Sequence, residues 1–408
     1  MKKQFRALAL LMSVGFPALV SAQGFQVNLQ GQKQQGMGSA GTALPQDAAA
    51  VFFNPGSVSF LEKNSITAGA NGTISNTIFQ DANTYAEYRT NSPVSTPFAA
   101  YAVYGMAESK LKFGLGVYTP FGSTVKWEDN WTGRFAITQL QLQTIFIQPT
   151  VSYKITDKIG FGAGFIYAPG KVNLQRDLPI FDGTNYAHAE LDGKATGYGF
   201  NAGLYFAATE KLSFGLTYRS KVNMKVTDGT ATFTVPTALD PNFPDGNFTA
   251  SLALPQIITL GIGFKASDNL QLAFDFNFGD WSGYDTLAFD YETNTSSLED
   301  TKSPRMYENS YAFRLGAQYK LMSELDLRAG VGYSISPIQD GYVTPESPDA
   351  NRLNLTAGLG YRIGEHFAVD ASYTFAQLKR TDKNLETNLD GTFKTYVSIP
   401  GLSLSYHF

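Results

Sequence analysis

The chain of 408 residues has no cysteine, only three histidines and a charged fraction of 16%. Without cysteine, no disulfide bond can stabilise it. A net charge of −4 provides no basic surface for nucleic acid. No stretch of about 18 consecutive apolar residues occurs, so the sequence offers no transmembrane helix. These absences exclude a disulfide-rich secreted domain, a nucleic-acid-binding protein and a helical membrane protein.

The N-terminus has the pattern of an export signal. Three basic residues precede an apolar run over residues 7–20, and the small residues Ser21 and Ala22 follow it. We expect residues 1–22 to be removed as a signal peptide and the mature chain to begin near Gln23. The protein is therefore predicted to be exported without a helical anchor.

Alternation of apolar and polar side chains with period two dominates the chain from Ser65 onward. Leu272, Phe274 and Phe276 would share one face of a strand, with Ala273 and polar residues on the other. The 31 Phe, 22 Tyr and 39 Gly fit such strands better than soluble helices. Because a soluble β-sandwich also alternates, this pattern alone does not identify the fold.

The alternating lengths of the connections distinguish a membrane barrel from a soluble β-sandwich. Six very short connections alternate strictly with seven long polar ones, which joins fourteen strands. The short turns lie at residues 107–109, 156–157, 209–210, 266–268, 322–323 and 364–365, and the long connections at 80–92, 119–137, 177–191, 228–247, 282–306, 337–349 and 381–392. Short turns on one side and long loops on the other are typical of outer-membrane barrels with both termini in the periplasm. The sequence predicts an all-β, transmembrane antiparallel β-barrel of about 14 strands in the bacterial outer membrane.

The last strand and the tyrosines fit the same prediction. The chain ends on Phe408, and Leu402, Leu404 and Tyr406 would face lipid on the same strand. An even strand number lets the last strand close against the first. Tyrosines near strand ends are expected to be interface aromatics; these are Tyr101, Tyr118, Tyr153, Tyr218, Tyr333 and Tyr361.

A barrel of fourteen strands is too wide for its wall side chains to fill. Residues 23–64 lack sustained alternation and are rich in Gly, Ala, Ser and Gln, so they are the candidate for a plug in the lumen. The apolar run Val51-Phe52-Phe53 and the turn Asn54-Pro55-Gly56 favour a folded plug over a disordered tail. The expected division is a hatch over residues 23–64 and a barrel over residues 65–408.

Several segments resemble the FadL family of outer-membrane transporters for long-chain fatty acids and hydrophobic compounds. In the hatch these are residues 24–28 (GFQVN), 36–41 (GMGSAG) and 47–55 (DAAAVFFNP). In the barrel they are residues 216–220 (LTYRS), 254–256 (LPQ), 280–282 (DWS), 334–337 (SISP) and 348–352 (PDANR). The family usually has Ala after Asn-Pro, whereas this chain has Gly56, which predicts a looser turn.

The resemblance implies a mechanism as well as a fourteen-stranded barrel with a hatch. A hydrophobic ligand would be captured on extracellular loops and move to a lumenal pocket gated by the hatch, with Phe52, Phe53, Asn54, Pro55 and Gly56 as hatch residues. It would then leave sideways into the membrane beside a kinked third strand. Implied partners are long-chain fatty acids or other hydrophobic small molecules and outer-membrane lipid, with the chain acting as a monomer.

The long connection after the third strand contains the candidate capture residues Phe121, Trp127, Trp131 and Phe135. Apolar clusters exposed on loops mark binding surfaces. The alternative is that these side chains pack a small core of the loop itself. In the same segment, Pro120 and Gly122 would interrupt ladder pairing and are the candidates for the strand kink.

Arginines on inward faces are candidates for binding a carboxylate in the lumen. Arg219, Arg314 and Arg352 fall on inward faces by parity, and an arginine can hold a carboxylate with two parallel hydrogen bonds. The alternative is that they are wall residues paired with acids such as Asp275 in a wet lumen. Arg219 is distinguished because it lies in the matched segment LTYRS.

Three functions stay open on sequence grounds. The first is passive uptake of long-chain fatty acids or related hydrophobic compounds. The second is uptake of aromatic hydrocarbons, for which inner arginines have no role. The third is a non-specific porin or a structural barrel. The three histidines show no arrangement with a nucleophile and an acid, so we predict no catalytic residues, no cofactor and no metal site.

Overall fold

The computed structural model describes residues 24–408, which form a closed antiparallel barrel of fourteen strands around residues 24–64. The predicted fold is confirmed. The predicted signal peptide, residues 1–22, lies outside the described residues. Among the residues that are described, none of the helices is long and apolar enough to cross a membrane.

Several barrel strands consist of two segments separated by a bend. The strands are β1 (Ser65–Asn71 and Ile74–Asp81), β2 (Glu87–Arg89 and Phe98–Tyr104), β3 (Leu111–Tyr118 and Gly122–Lys126), β4 (Gln139–Thr144 and Phe146–Lys154), β5 (Ile159–Phe181), β6 (Tyr186–Ala207), β7 (Leu212–Arg219 and Val222–Thr234), β8 (Gly246–Leu254 and Gln256–Lys265), β9 (Leu270–Asp280 and Thr286–Tyr291), β10 (Thr301–Pro304 and Ser310–Lys320), β11 (Leu325–Ile335), β12 (Arg352–Ile363), β13 (Phe367–Lys383) and β14 (Asp390–His407). Each pairs with the next, and β1 pairs with both β2 and β14, which closes the ring.

The alternation read from the sequence sorts side chains between the two faces of this wall. On β9, Phe274 points outward and is exposed, whereas Asp275 points inward and is buried. On β14, Leu402, Leu404 and Tyr406 are all exposed on the outer face. An apolar outer face that runs around the whole wall is far larger than a soluble monomer exposes, and it is the face that contacts lipid.

Most of the long connections are shorter than predicted because the strands continue into them, whereas the one between β11 and β12, residues 336–351, is longer than the predicted 337–349. Only residues 182–185 join β5 to β6, where a loop over residues 177–191 was expected. Likewise, residues 384–389 join β13 to β14 in place of residues 381–392. Above the membrane both faces of a ladder can contact water, so the period-two signal disappears from the sequence although the pairing continues.

The prediction of interface tyrosines holds on part of the wall and is wrong on another. Tyr153 and Tyr361 are exposed on the outer face. Tyr101 and Tyr118 are buried on the inner face, where their rings lie 5.9 Å apart. The kink that follows Tyr118 brings this part of the wall against the hatch, which alternation alone does not reveal.

The hatch contains little regular structure. It comprises helix α1 (Gln32–Gly36), helix α2 (Ala50–Phe53) and a 3-10 helix (Pro55–Phe60), and the first barrel strand begins at Ser65. Nearly all of its side chains after Leu29 are buried. The hatch has too little apolar area to fold alone. The inner wall of the barrel therefore supplies the rest of its packing and many of its hydrogen bonds.

Candidate functional site

Asp275 on β9 fixes the middle of the hatch. Its Oδ2 atom accepts hydrogen bonds from the backbone N–H groups of Gly41 (2.9 Å) and Thr42 (3.1 Å) and from the Thr42 hydroxyl (2.8 Å). The carboxylate is almost completely buried. A buried carboxylate needs such donors, because its desolvation is otherwise unfavourable.

The predicted hatch turn lies against the opposite wall. The side-chain amide of Asn54 donates to the carbonyl oxygens of Thr42 (2.8 Å) and Leu204 (2.9 Å), and its Oδ1 atom accepts from Gly56 N–H (2.9 Å). A Cβ atom at Gly56 would lie 2.6 Å from the carbonyl oxygen of Gly203, so only glycine fits. The looseness expected at Gly56 is therefore absent, because the turn is held from both sides.

A buried ion network connects the hatch to the half of the wall that carries the short turns. The Lys33 ammonium lies 3.8 Å from Asp47 in the hatch and 4.0 Å from Asp370 on β13. Asp370 is paired with Arg328 on β11 at 2.6 Å. For Arg328 the structure thus supports the pairing of a lumenal arginine with an acid of the wall.

The third strand is interrupted at residues 119–121, at the predicted kink. The N-terminal end of the hatch pairs with the interruption: Val27 N–H donates to the Pro120 carbonyl (2.8 Å), and Gly122 N–H donates to the Phe25 carbonyl (3.1 Å). The Phe121 side chain points into the lumen and lies 6.2 Å from Trp281, between ring centroids. The hatch thus takes part of the hydrogen bonding that a neighbouring strand would otherwise provide.

Beside the kink, the hydrogen-bonded ladder between β2 and β3 is open. Pairing runs as far as Phe98 and Thr119 and resumes only where Asn91 N–H donates to the Lys126 carbonyl. Residues 93–97 pair with β1 through Thr73, and residues 122–126 pair with β4, so the two edges do not pair with each other across the opening. The wall therefore has a lateral gap between residues 93–97 and 120–125.

A cavity of about 450 Å³ lies behind this gap. It is bounded by hatch residues 24–29, by both edges of the gap and by the inner faces of β11 to β14. Arg314, Arg352 and Asp349 give it a polar side. The cavity is large enough for part of an elongated ligand and adjoins the opening in the wall.

A second cavity, of about 70 Å³, lies in the half of the lumen nearer the long connections and is almost entirely apolar. Its lining includes Leu142, Val172, Met224, Leu252, Phe289 and Phe25. Glu346 at its edge is already paired with Arg305 at 2.9 Å. Such a concave apolar site with few polar groups is what a hydrophobic ligand requires.

Phe25 of the hatch borders both cavities, as do Leu142, Gln143 and Glu346 of the wall and loops. Its ring makes edge contacts with Trp281 at 6.4 Å and Tyr284 at 6.2 Å. The sequence places Phe25 only in a hatch motif and gives no signal of this position. Phe25 is thus the hatch residue that lies at the boundary between the apolar pocket and the cavity beside the gap.

The candidate arginines occupy different surroundings. Arg219 stacks on Phe52, with its guanidinium carbon 4.1 Å from the ring centroid, and donates to the Phe52 carbonyl at 3.1 Å. Arg314 donates to the Ser39 carbonyl at 3.3 Å. Arg219 and Arg314 border a small polar cavity of about 30 Å³ together with Phe53. Two of the three predicted arginines therefore converge on one site at the hatch, and Arg352 lies at the larger cavity.

Of the four candidate capture residues, three are buried. Trp127 and Trp131 stack with ring centroids 4.2 Å apart and pack on Phe393 and Phe79 of the wall. Phe121 is buried in the lumen. The exposed position expected for these three residues is therefore wrong, since the loop folds inward and uses them as its core.

Phe135 is exposed and belongs to an aromatic cluster at the tip of the hairpin formed by β5 and β6. Its ring lies 5.1 Å from Tyr186, which lies 5.1 Å from Phe181. The Arg134 guanidinium covers Tyr186 at 5.0 Å. Sequence reasoning missed Phe181 and Tyr186, because they lie in the strand extensions that were taken for a polar loop.

Asp349 binds the first described residue of the hatch. It lies in the connection between β11 and β12, where its Oδ2 atom accepts from Gly24 N–H (2.9 Å) and from the Ser336 hydroxyl (3.1 Å). Burial raises the pKa of Asp349 to about 6, although the nearby Arg352 and these hydrogen bonds favour the charged form. The carboxyl can therefore change charge in mildly acidic solution.

We expect Asp349 to make the protein less stable as the pH rises from about 4 to 7. The folded chain keeps the proton up to about pH 6, whereas the unfolded carboxyl loses it near 3.8. Its contribution to stability is complete below the unfolded pKa and is lost as the pH passes through 6. Thermal unfolding midpoints in detergent should show this slope, and Asp349→Asn should remove it. The exposed Asp340→Asn is the control, and an unchanged slope in Asp349→Asn would contradict the assignment.

Comparison with known proteins agrees with this architecture. Residues 16–408 match the model of a family described as outer membrane protein transport protein (OMPP1/FadL/TodX). A putative outer membrane protein of Neisseria meningitidis is 27% identical, with 98% of each chain covered. A long-chain fatty acid transport protein of Escherichia coli is 24% identical, with 92% of each chain covered.

Solved structures show the same fold. A FadL homologue of Pseudomonas aeruginosa superposes with a TM-score of 0.82 at 21% identity, covering 94% of this chain and all of the other. The toluene transporter TodX of P. putida gives a TM-score of 0.75 at 18% identity, covering 92% and 97%. The relatives are outer-membrane proteins, as the lipid-facing wall predicts. The chain belongs to the OMPP1/FadL/TodX family of outer-membrane transport proteins.

Proposed function

We propose that this protein takes up long-chain fatty acids or related hydrophobic compounds by passive diffusion from the extracellular loops into the outer membrane, and that it catalyses no reaction. The observation that carries the proposal is the lateral gap in the wall, which opens onto a cavity that the hatch separates from an apolar pocket. A pore for polar solutes needs no opening toward lipid, so the gap argues against a non-specific porin.

Capture is assigned to the aromatic cluster of Phe135, Phe181 and Tyr186. These rings stand above the membrane on the long hairpin of β5 and β6, where a ligand arriving from solution meets them first. Exposed aromatic surface of this kind binds apolar molecules weakly and reversibly. From there the ligand reaches the apolar pocket inside the lumen.

Transfer is driven by burial of apolar surface. Each methylene moved out of water contributes about 0.8 kcal/mol, so a long acyl chain needs no coupled energy source. The apolar pocket binds the chain until the hatch end that contains Phe25 moves aside. The ligand then enters the cavity beside the gap and leaves between β2 and β3 into the bilayer.

Replacing Phe25 with Ala tests this route. The change joins the two cavities, so we expect weaker ligand retention and an uptake rate altered by several-fold, with the barrel intact. Binding of a fluorescent fatty acid to the purified protein and uptake of labelled oleate by cells measure the two effects. The lipid-facing Phe313→Ala is the matched control. If Phe25→Ala matched that control in both assays, Phe25 would have no gating role.

Arg219 separates the two candidate classes of substrate. If a carboxylate head group binds beside Arg219 and Arg314, Arg219→Ala should weaken oleate binding by about 10-fold or more, since a charge-assisted hydrogen bond contributes about 1.5–3 kcal/mol. Arg219→Lys should restore part of the affinity. Toluene binding should be the same in all three proteins. An unchanged oleate affinity in Arg219→Ala would instead favour uptake of neutral aromatic hydrocarbons.

A further inference from the structure

The outer wall has two places where lysines lie directly opposite one another on paired strands. Lys171 on β5 faces Lys194 on β6, and Lys379 on β13 faces Lys394 on β14. Residues directly opposite on an antiparallel pair have Cβ atoms about 4.5–5.5 Å apart, and like charges at that distance repel. Each pair therefore lowers the stability of the wall unless an anion lies between the two ammonium groups.

All four side chains are on the outer face. Val172 and Ala195, next to Lys171 and Lys194, line the apolar pocket inside the lumen, which Lys171 also borders, while Lys171 and Lys194 are both exposed. On the other pair of strands, Leu378 and Phe393 are buried inside. Alternation then places the four lysines on the lipid side of the wall, where three are exposed and Lys394 is partly exposed.

Both lysine pairs lie at the same height. Each is twelve residues above a pair of apolar residues at the periplasmic end of its strands, Ile159 with Phe206 and Phe367 with Tyr406. With a rise of about 3.3 Å per residue and a tilt of about 40°, twelve residues span about 30 Å along the membrane normal. The apolar band of such barrels is about 25 Å tall. The lysines therefore stand just above it, at the level of the lipid head groups.

Aromatic side chains below each pair mark the same boundary. Tyr198 is exposed below Lys194, and its ring lies 5.6 Å from that of Tyr167 below Lys171. Tyr396 is exposed below Lys394. Tyrosines of this kind sit at the interface between hydrocarbon and head groups, which agrees with the height found from the strand rise.

The protein gives these charges no direct ion-pair partner. Among residues 24–408, none of the four lysines has a carboxylate within 4.0 Å. Asp192 and Glu190 lie on the same outer face of β6 above Lys194, and both accept hydrogen bonds from the Asn173 amide. A fifth lysine, Lys225 on β7, lies opposite Thr196, one row below Lys194.

We propose that the two lysine pairs bind phosphate groups of a phosphorylated glycolipid in the outer leaflet. Its acyl chains would lie on the aliphatic and aromatic wall below, and its phosphates would lie between the opposed ammonium groups. Lysine is a common partner for phosphate. A phosphorylated lipid can neutralise the lysines with its phosphates and cover the apolar wall below them with its acyl chains, whereas a free anion can only neutralise the lysines.

The test compares a charge-removed variant with a charge-matched control. The test variant is Lys171→Gln with Lys194→Gln, Lys379→Gln and Lys394→Gln, and the control removes four exposed lysines near periplasmic turns, Lys110→Gln with Lys158→Gln, Lys211→Gln and Lys320→Gln. Binding of lipopolysaccharide to the purified protein in detergent is measured by native mass spectrometry and titration. Dephosphorylated lipopolysaccharide and inorganic phosphate are the other two probes.

We expect the test variant to bind lipopolysaccharide at least about 10-fold more weakly than the wild type, since each lysine near a lipid surface contributes about fivefold. The control should bind lipopolysaccharide as tightly as the wild type does. Dephosphorylated lipopolysaccharide should bind poorly to both the wild type and the control. Equal affinity of test variant and wild type, equal loss in the control, or displacement of lipid by inorganic phosphate would overturn the proposal. Heat-modifiable migration checks folding, and the two double variants, tested separately, should each show part of the loss.

Discussion

Deleting the hatch, residues 23–63, should turn a closed barrel into an open pore. Fourteen strands enclose more space than their inward side chains fill, and in this structure the hatch occupies it through contacts at Asp275, Asp370 and Gly203. Without the segment, those wall groups face water and ions can pass. We expect single-channel conductance in planar bilayers to rise by at least about 10-fold.

The control for this deletion has to keep the barrel and its loops. Heat-modifiable migration shows whether the truncated wall still closes, and Lys63→Gln, at the exposed end of the hatch, should conduct as little as the wild type. If the intact protein already conducted ions as freely as the truncated one, the hatch would not seal the lumen. The protein would then act as an open pore, and the uptake route proposed above would fail.

The architecture could be predicted because it depends on local alternation. The faces of β9 and β14 follow from period two, and the strand number follows from the spacing of short turns. The kink could also be placed, since Pro120 has no N–H to donate to a ladder. Each of these features is encoded by residues close together in the sequence.

The lateral gap could not be predicted, because it depends on which strand each of its two edges pairs with. Residues 93–97 pair with β1, and residues 122–126 pair with β4. The sequence within either segment does not indicate these partners. The burial of Trp127 and Trp131 has the same origin, since their partners Phe79 and Phe393 are distant in sequence. Long-range packing thus decided the parts of the site that sequence reasoning missed.

The glycine-rich inner faces of the barrel could be predicted in part: their composition is visible in the sequence, but its cause is not. In the sequence, residues 160–164 have the pattern of a glycine-rich strand face and nothing more specific. In the structure, a Cβ atom at Gly160 or Gly162 would collide with the backbone of Pro55 and Gly56 in the hatch. The composition was visible in the sequence, but its reason, the close approach of a second backbone, required the fold.

Asp275→Ala should destabilise the protein strongly. The substitution leaves the N–H groups of Gly41 and Thr42 and the Thr42 hydroxyl without their acceptor. Buried donors that lose their partner cost about 1–3 kcal/mol each. We therefore expect a loss of about 3 kcal/mol or more in the free energy of unfolding.

The loss should be concentrated in the hatch, because Asp275 lies within a paired strand whose own ladder is untouched. Limited proteolysis should cleave residues 24–64 of Asp275→Ala faster than those of the wild type, while the barrel stays resistant. Asp275→Asn keeps an oxygen acceptor of the same shape and should lose roughly half as much. Wild-type stability and protease resistance in Asp275→Ala would mean that this carboxylate does not hold the hatch, and that the wall glycines and the Asn54 contacts suffice to keep the lumen sealed.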